Sequence, residues 1–173
     1  MKEAIGTTWT YTLVLVFTLI FTGFLVLSLA YAKAFKVKNE MTTIIEKYEG
    51  LTLSSSYKGE TKNGSIQIIN QFIENANHKT MGKCDISKID YMYYASNNLS
   101  SNTLTPITSS NANKKYYYCI GFSPTACTFD IQIFYDFSLP FLGSIHKYSI
   151  IGKTNKMNDV YILNNTYCDK KTA

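Results

Sequence analysis

The sequence predicts an α+β fold. A long N-terminal helix, transmembrane at its start and amphipathic at its end, packs on a small antiparallel sheet of about four strands, with one short additional helix. Three observations predict it. An uncharged apolar run extends from Trp9 to Ala32. Helical periodicity then continues without a breaker as far as Gly50. In the second half of the chain, period-two alternation replaces it, most cleanly from Thr128 to Phe137.

The apolar run has the length needed to cross a hydrocarbon core, for which about 20 residues suffice. Residues 1–8 form a short tail before it. Trp9, Tyr11 and Tyr31 lie at its ends, where amphipathic rings favour the headgroup level. The hydroxyls of Thr10, Thr12, Thr18, Thr22 and Ser28 can bond carbonyls one turn back. Thr18 and Thr22, with Gly23 beside them, make a strip of small residues suited to close helix approach. Ala30-Tyr31-Ala32 has the small-x-small shape of a signal cleavage site, but the run is longer than a signal core, and Lys2 with Glu3 makes a weak positive flank. An uncleaved span is therefore expected over 9–32.

Beyond it, residues 33–50 continue the same helix. Val37, Met41, Ile44, Ile45 and Tyr48 fall on one face, with Lys and Glu elsewhere. Gly50 stands where a helix C-cap would. Residues 51–173 then form one small domain. Leu51 to Asn63 reads as a polar linker. Ser65 to Ala76 reads as a second helix, with Ile66, Ile69, Phe72 and Ile73 at helical spacing. Strands are predicted over Ile89–Tyr94, Lys115–Gly121, Thr128–Phe137, His146–Lys153 and, shortest, Val160–Leu163, with a polar loop from Ser96 to Asn113. Phe129, Ile131, Ile133, Tyr135 and Phe137 share one strand face; Asp130, Gln132, Phe134 and Asp136 share the other, which is expected to be the solvated side.

Composition narrows function. The net charge is +5, and every basic residue is Lys. Without Arg the bidentate contacts typical of nucleic-acid readers are missing, so no nucleic-acid partner is expected. The wealth of Lys, Asn, Ile and Tyr matches the coding bias of an AT-rich bacterial genome. Lys33, Lys36 and Lys38 beyond the span would by themselves place the C-terminal bulk in the cytoplasm. The four cysteines argue for an oxidising exterior, because all lie beyond the span and their number is even. The exterior placement is preferred. Cys119 and Cys127 read as facing one another across a hairpin, which would leave Cys84 with Cys168, although four cysteines allow three pairings.

No catalytic constellation stands out. His78 and His146 lack the partners and spacing of a zinc site, and His78 reads as a surface or loop residue. Asp85 with Asp90, and Asp130 with Asp136, read as solvated positions. No phosphate loop, dinucleotide fingerprint or nucleophile elbow is present. No cofactor, metal or small-molecule substrate is expected, and the chain reads as a non-enzyme. Tyr91, Tyr93, Tyr94 and Tyr116 to Tyr118 suggest either strand preference or an exposed recognition face.

The stretch from Leu13 through Gly50, together with Ile131-Gln132-Ile133-Phe134-Tyr135-Asp136-Phe137-Ser138-Leu139-Pro140-Phe141-Leu142-Gly143, resembles the type IV pilin and pseudopilin superfamily, and within it the TadE-like family of tight-adherence (Flp) pilus systems. The resemblance implies a pilin-like fold and a single-pass protein of the cell membrane with its C-terminal domain outside. Its partners would be the lipid bilayer and other pilin-like subunits or pilus and secretion assembly proteins. Prepilins carry a Gly before the processing site and a Glu five residues later. Here Gly6 is followed by Tyr11 at that spacing, so a minor or accessory subunit is expected rather than a major pilin. The alternative is a membrane-tethered binding or adhesion module that uses the Tyr-rich face.

Overall fold

The computed structural model describes residues 2–53, 55–57, 60–139, 143–163 and 165–168, with side chains described from residue 8 onward outside 54–62, 138–145 and 164. Its first element, α1, is a single helix over Lys2–Lys47, about 69 Å long at 1.5 Å per residue. It takes in residues 2–8, which the sequence reading assigns to a separate tail. Within the apolar half, the hydroxyls of Thr12, Thr18 and Thr22 donate to the carbonyls of Thr8, Val14 and Thr18 at 3.0, 2.8 and 2.7 Å. Each of these three hydroxyls is thereby satisfied inside the helix, as an apolar surrounding requires.

The helix ends differently from the sequence reading. Glu49, not Gly50, takes the left-handed conformation, with φ 53°. Gly50 already belongs to a strand, β1 (Gly50–Leu51), which pairs in parallel with β9 (Val160–Ile162). Its φ is 129°, and a Cβ there would lie 2.0 Å from the Tyr161 carbonyl oxygen. Glycine is required at this position by backbone crowding rather than by capping.

The stretch expected as a linker also holds β2 (Ser55–Tyr57) and β3 (Glu60–Lys62), an antiparallel pair. Next comes α2 (Ser65–Asn75). Its first residue fastens it to β1: Ser65 Oγ donates to the Gly50 carbonyl at 2.8 Å and accepts from the Thr52 amide at 2.8 Å. The helix turns Ile66, Ile69 and Ile73 inward, all fully buried.

The remaining strands are β4 (Met92–Ser96), β5 (Thr105–Pro106), β6 (Tyr118–Ser123), β7 (Thr128–Leu139), β8 (Gly143–Lys153) and β10 (Asn165–Tyr167). Among the described residues the main sheet has five strands rather than about four, in the order β5-β4-β6-β7-β8, with antiparallel pairing throughout. The extra strand, β5, lies inside the stretch expected as a polar loop. The strand expected near Val160 is β9, at the centre of a separate sheet ordered β1-β9-β10.

The core forms where α1 crosses the sheet. Ala34, Val37, Met41, Ile44 and Ile45 meet Phe129, Ile131 and Ile133, and all of these are buried. Burying each large aliphatic or aromatic side chain contributes about 1.5–3 kcal/mol, so this contact anchors the second half of α1 firmly. Tyr48 packs at its edge, half-buried.

The opposite sheet face is not simply solvated. Gln132 and Phe134 are buried there, with Phe134 in a second cluster formed by Cys84, Ala95, Tyr116 and Cys119. The chain after α2 crosses this face. Gly82 bridges to Tyr116 through backbone bonds of 2.9 and 2.8 Å, and the Asp85 amide donates to Gln132 Oε1 at 2.9 Å. A Cβ on Gly82 would lie 2.2 Å from the Phe134 ring. The crossing segment therefore needs glycine where it passes over that ring.

Candidate functional site

The two halves of α1 have opposite surroundings. Trp9 is 72% exposed and Leu29 also 72%, whereas Val37 is 1% and Met41 0% exposed. One helix in the chain is long and apolar enough to cross a membrane by length and composition, counted among the described residues. A contiguous exposed apolar surface of this size marks a surface that another apolar phase or partner covers.

The sheet reaches down beside this apolar half. Strands β7 and β8 pair along α1: Ile131 and Ile133 lie in the core with Val37 to Ile45, and Phe137, farther along β7, lies beside the apolar half. Phe137 on β7 shares a niche with Leu19, Ile20, Gly23, Phe24 and Leu27. The small-residue strip is consequently divided. Gly23 is buried, while Thr18 and Thr22 stay exposed. Above this niche sits a group of rings. Tyr31 stacks on Phe35 at 6.1 Å and meets Tyr135 edge-on at 5.8 Å; Tyr135 stacks on Tyr148 at 5.4 Å. Tyr31 thus belongs to a cluster shared by helix and sheet. Trp9 and Tyr11, at the far end of the helix, are exposed.

Beside the rings lies a polar groove of about 640 Å³ between α1, the start of the crossing segment and the β7–β8 hairpin. Lys33 Nζ donates to the Asn77 carbonyl at 2.8 Å, and Lys147 Nζ to the Met81 carbonyl at 3.1 Å. Thr80 Oγ1 donates to Asp136 Oδ1 at 3.1 Å. His78 lines the groove yet is only 4% exposed, and its Nε2 has no hydrogen-bond partner among the described residues. Burial pushes its pKa below the ordinary imidazole value. A hydrogen bond with the Phe134 backbone opposes that shift, Lys33 adds to it and Asp136 works against it. Sequence reasoning took His78 for a surface or loop residue. It does follow α2 in a loop, but the sheet end covers it. No local pattern signals this, because the covering residues are more than 50 positions away.

The cysteines pair differently from the hairpin reading. The bonds are Cys84–Cys119 and Cys127–Cys168. Cys119 faces Gln132 across the β6–β7 ladder, which closes at Ser123 and Thr128, so Cys127 lies in the turn itself. The intervening strand measures roughly 15 Å at ~3.3 Å per residue, beyond the about 7 Å between Cα atoms that a disulfide tolerates. Instead Cys84 ties the crossing segment to the outer sheet face, with a Cα–Cα distance of 5.7 Å, and Cys168 ties the end of β10 to the turn at 6.1 Å.

The other candidates take structural places. Tyr116 and Tyr118 are fully buried; Tyr118 donates to Asn70 Oδ1 at 2.8 Å, and its hydroxyl pKa is pushed up by burial. Tyr91 and Tyr93 stack half-exposed at 6.0 Å. Asp130 pairs with Lys88, whose pKa that contact raises. Asp85 accepts from the Ser87 amide at 3.0 Å. His146 is exposed on β8, 4.7 Å from the Tyr148 ring. Among the described residues no group of three His, Cys, Asp or Glu side chains is placed to hold a metal ion. No protein family, curated protein or solved structure matches this chain.

Proposed function

We propose that the chain is a single-pass membrane protein acting as a pilin-like minor or accessory component in assembly of a type IV or Tad-type pilus or a related secretion apparatus. The observation that carries this reading is the division of α1. From Trp9 to Leu29 it exposes large apolar side chains, and Phe137 touches it beside Gly23. Its second half is the spine of a small α+β domain. A helix so divided is held rigidly by its own domain while its free half inserts in lipid and meets the helices of neighbouring subunits. The exposed strip of Thr18 and Thr22 suits close helix approach. Tyr11, where a repeating subunit of the superfamily has Glu, favours an accessory role.

The domain lies outside the cytoplasm in this reading. Its two disulfides leave no free cysteine, and such bonds persist in oxidising surroundings. They weigh against the Lys33, Lys36 and Lys38 flank, which favours the opposite orientation. Alkylation of intact cells with a membrane-impermeant maleimide tests topology and bonding together. Labelling of the cysteines only after reduction is expected. Four free thiols that resist the reagent in intact cells, and react only after lysis, would exclude an exterior domain.

A further inference from the structure

The groove beside Tyr31 is the most unusual polar feature of the molecule. Lysines reach it from four separate parts of the chain. Lys33 comes from α1, Lys79 from the segment after α2, Lys147 from β8, and Lys115 from just before β6. Asp136 is the one carboxylate among the groove's lining residues. With His78 neutral the lining carries a net charge of +3, four lysines less one aspartate. Lys33 and Lys147 each spend one of three ammonium protons on a backbone carbonyl, which fixes their positions and leaves donors to spare. His78 adds a buried ring nitrogen without a partner among the described residues, an arrangement that native structures rarely leave unfilled.

The height of the groove identifies the source of an anion. Ala30 and Lys33 line it, and the apolar run ends between them at Ala32. The ring cluster of Tyr31, Tyr135 and Tyr148 borders it, and Phe137 lies below against Leu19 to Leu27. A groove at the exit of a span, beside tyrosines and over an apolar niche, faces the headgroup layer.

We propose that this groove binds the phosphate of an anionic phospholipid headgroup, held by Lys33, Lys79, Lys115 and Lys147, with His78 donating from Nε2 once protonated. The acyl chains would follow the niche lined by Phe137 and Leu27. The proposal rests on the membrane-spanning reading of α1. An anion opposite His78 supplies the attraction that favours the imidazolium, against burial and Lys33 and alongside Asp136.

The test uses the full chain, incorporated into nanodiscs of phosphatidylcholine alone or with phosphatidylglycerol. The imidazole resonances of His78 are titrated by NMR in each, and lipids retained on the protein are identified by native mass spectrometry. Phosphatidylglycerol should raise the His78 pKa by about one unit or more, and should be retained at least fivefold over its share of the disc. Lys79→Gln with Lys115→Gln should abolish both effects without touching the carbonyl contacts of Lys33 and Lys147. Lys156→Gln, at an exposed position outside the groove, should change neither. Three results overturn the proposal: no phosphatidylglycerol preference in a properly inserted chain, an equal effect of the Lys156 variant, or an equal His78 shift from inorganic phosphate in phosphatidylcholine discs. Failure of the chain to enter any disc overturns the membrane-spanning reading itself, a distinguishable outcome.

Discussion

Ser65 and His78 show how much a single buried polar atom controls here. Ser65 Oγ bridges the Gly50 carbonyl and the Thr52 amide in a fully buried position. Ser65→Ala removes both bonds and strands their partners, so urea unfolding should give a loss of about 1–3 kcal/mol. His78 makes the domain sensitive to acid. Its folded pKa lies below the unfolded value of about 6.5, so the unfolded chain binds more protons through that window. Stability is therefore complete above about pH 6.5 and falls as pH is lowered toward the folded pKa. In lipid-free detergent the slope of stability against pH should flatten in His78→Gln. An unchanged slope would assign the pH dependence to other groups. Neither role was legible in the sequence. Ser65 reads there as the start of a helix and His78 as a surface or loop residue, because the atoms that give them meaning come from distant segments.

At the scale of elements, the local patterns were readable and the long-range ones were not. The face of Val37, Met41, Ile44 and Ile45 follows from 3.6-residue periodicity, and these side chains lie in the core. Met41→Ala should cost about 2–5 kcal/mol by thermal or urea unfolding, whereas Lys47→Ala on the exposed side should change little. The alternation of β7 was equally legible on its inner face. Its outer face was not, because Phe134 is covered by the chain around Gly82, Cys84 and Ile86, and nothing local shows that a loop will fold across a sheet. The cysteine pairing failed for the same reason. The hairpin reading sets Cys119 opposite Cys127, while the ladder register keeps them apart. The observed bonds close loops of 35 and 41 residues, each stabilising by roughly 4 kcal/mol in the chain-entropy account. Cys84→Ser with Cys119→Ser should lower stability by a comparable amount and release amide protection first across the crossing segment. Uniform loss of protection over the whole domain would contradict its separate fastening.

For the whole molecule, the division of α1 organises everything else. About half of the helix is held by a core and two sheets, and the other half projects as an apolar rod. The α+β class, the long helix and the membrane-length run were legible, because each follows from composition and period within one segment. The depth at which the β7–β8 hairpin runs beside the helix was not, and it is this feature that buries Gly23 and leaves Thr18 and Thr22 as the open part of the strip. If the rod assembles with other subunits, its contacts in the membrane lie along that strip. The most direct measurement places a photoreactive phenylalanine analogue at Thr22 of the full chain in its native cells, with the same probe at Lys156 as a control. The account predicts crosslinks at position 22 to a second membrane helix, from another copy or another assembly subunit, and none from position 156 to that partner. A chain that fractionates with the membrane but yields only lipid adducts at position 22 would contradict the assembly role and leave a tethered domain in its place.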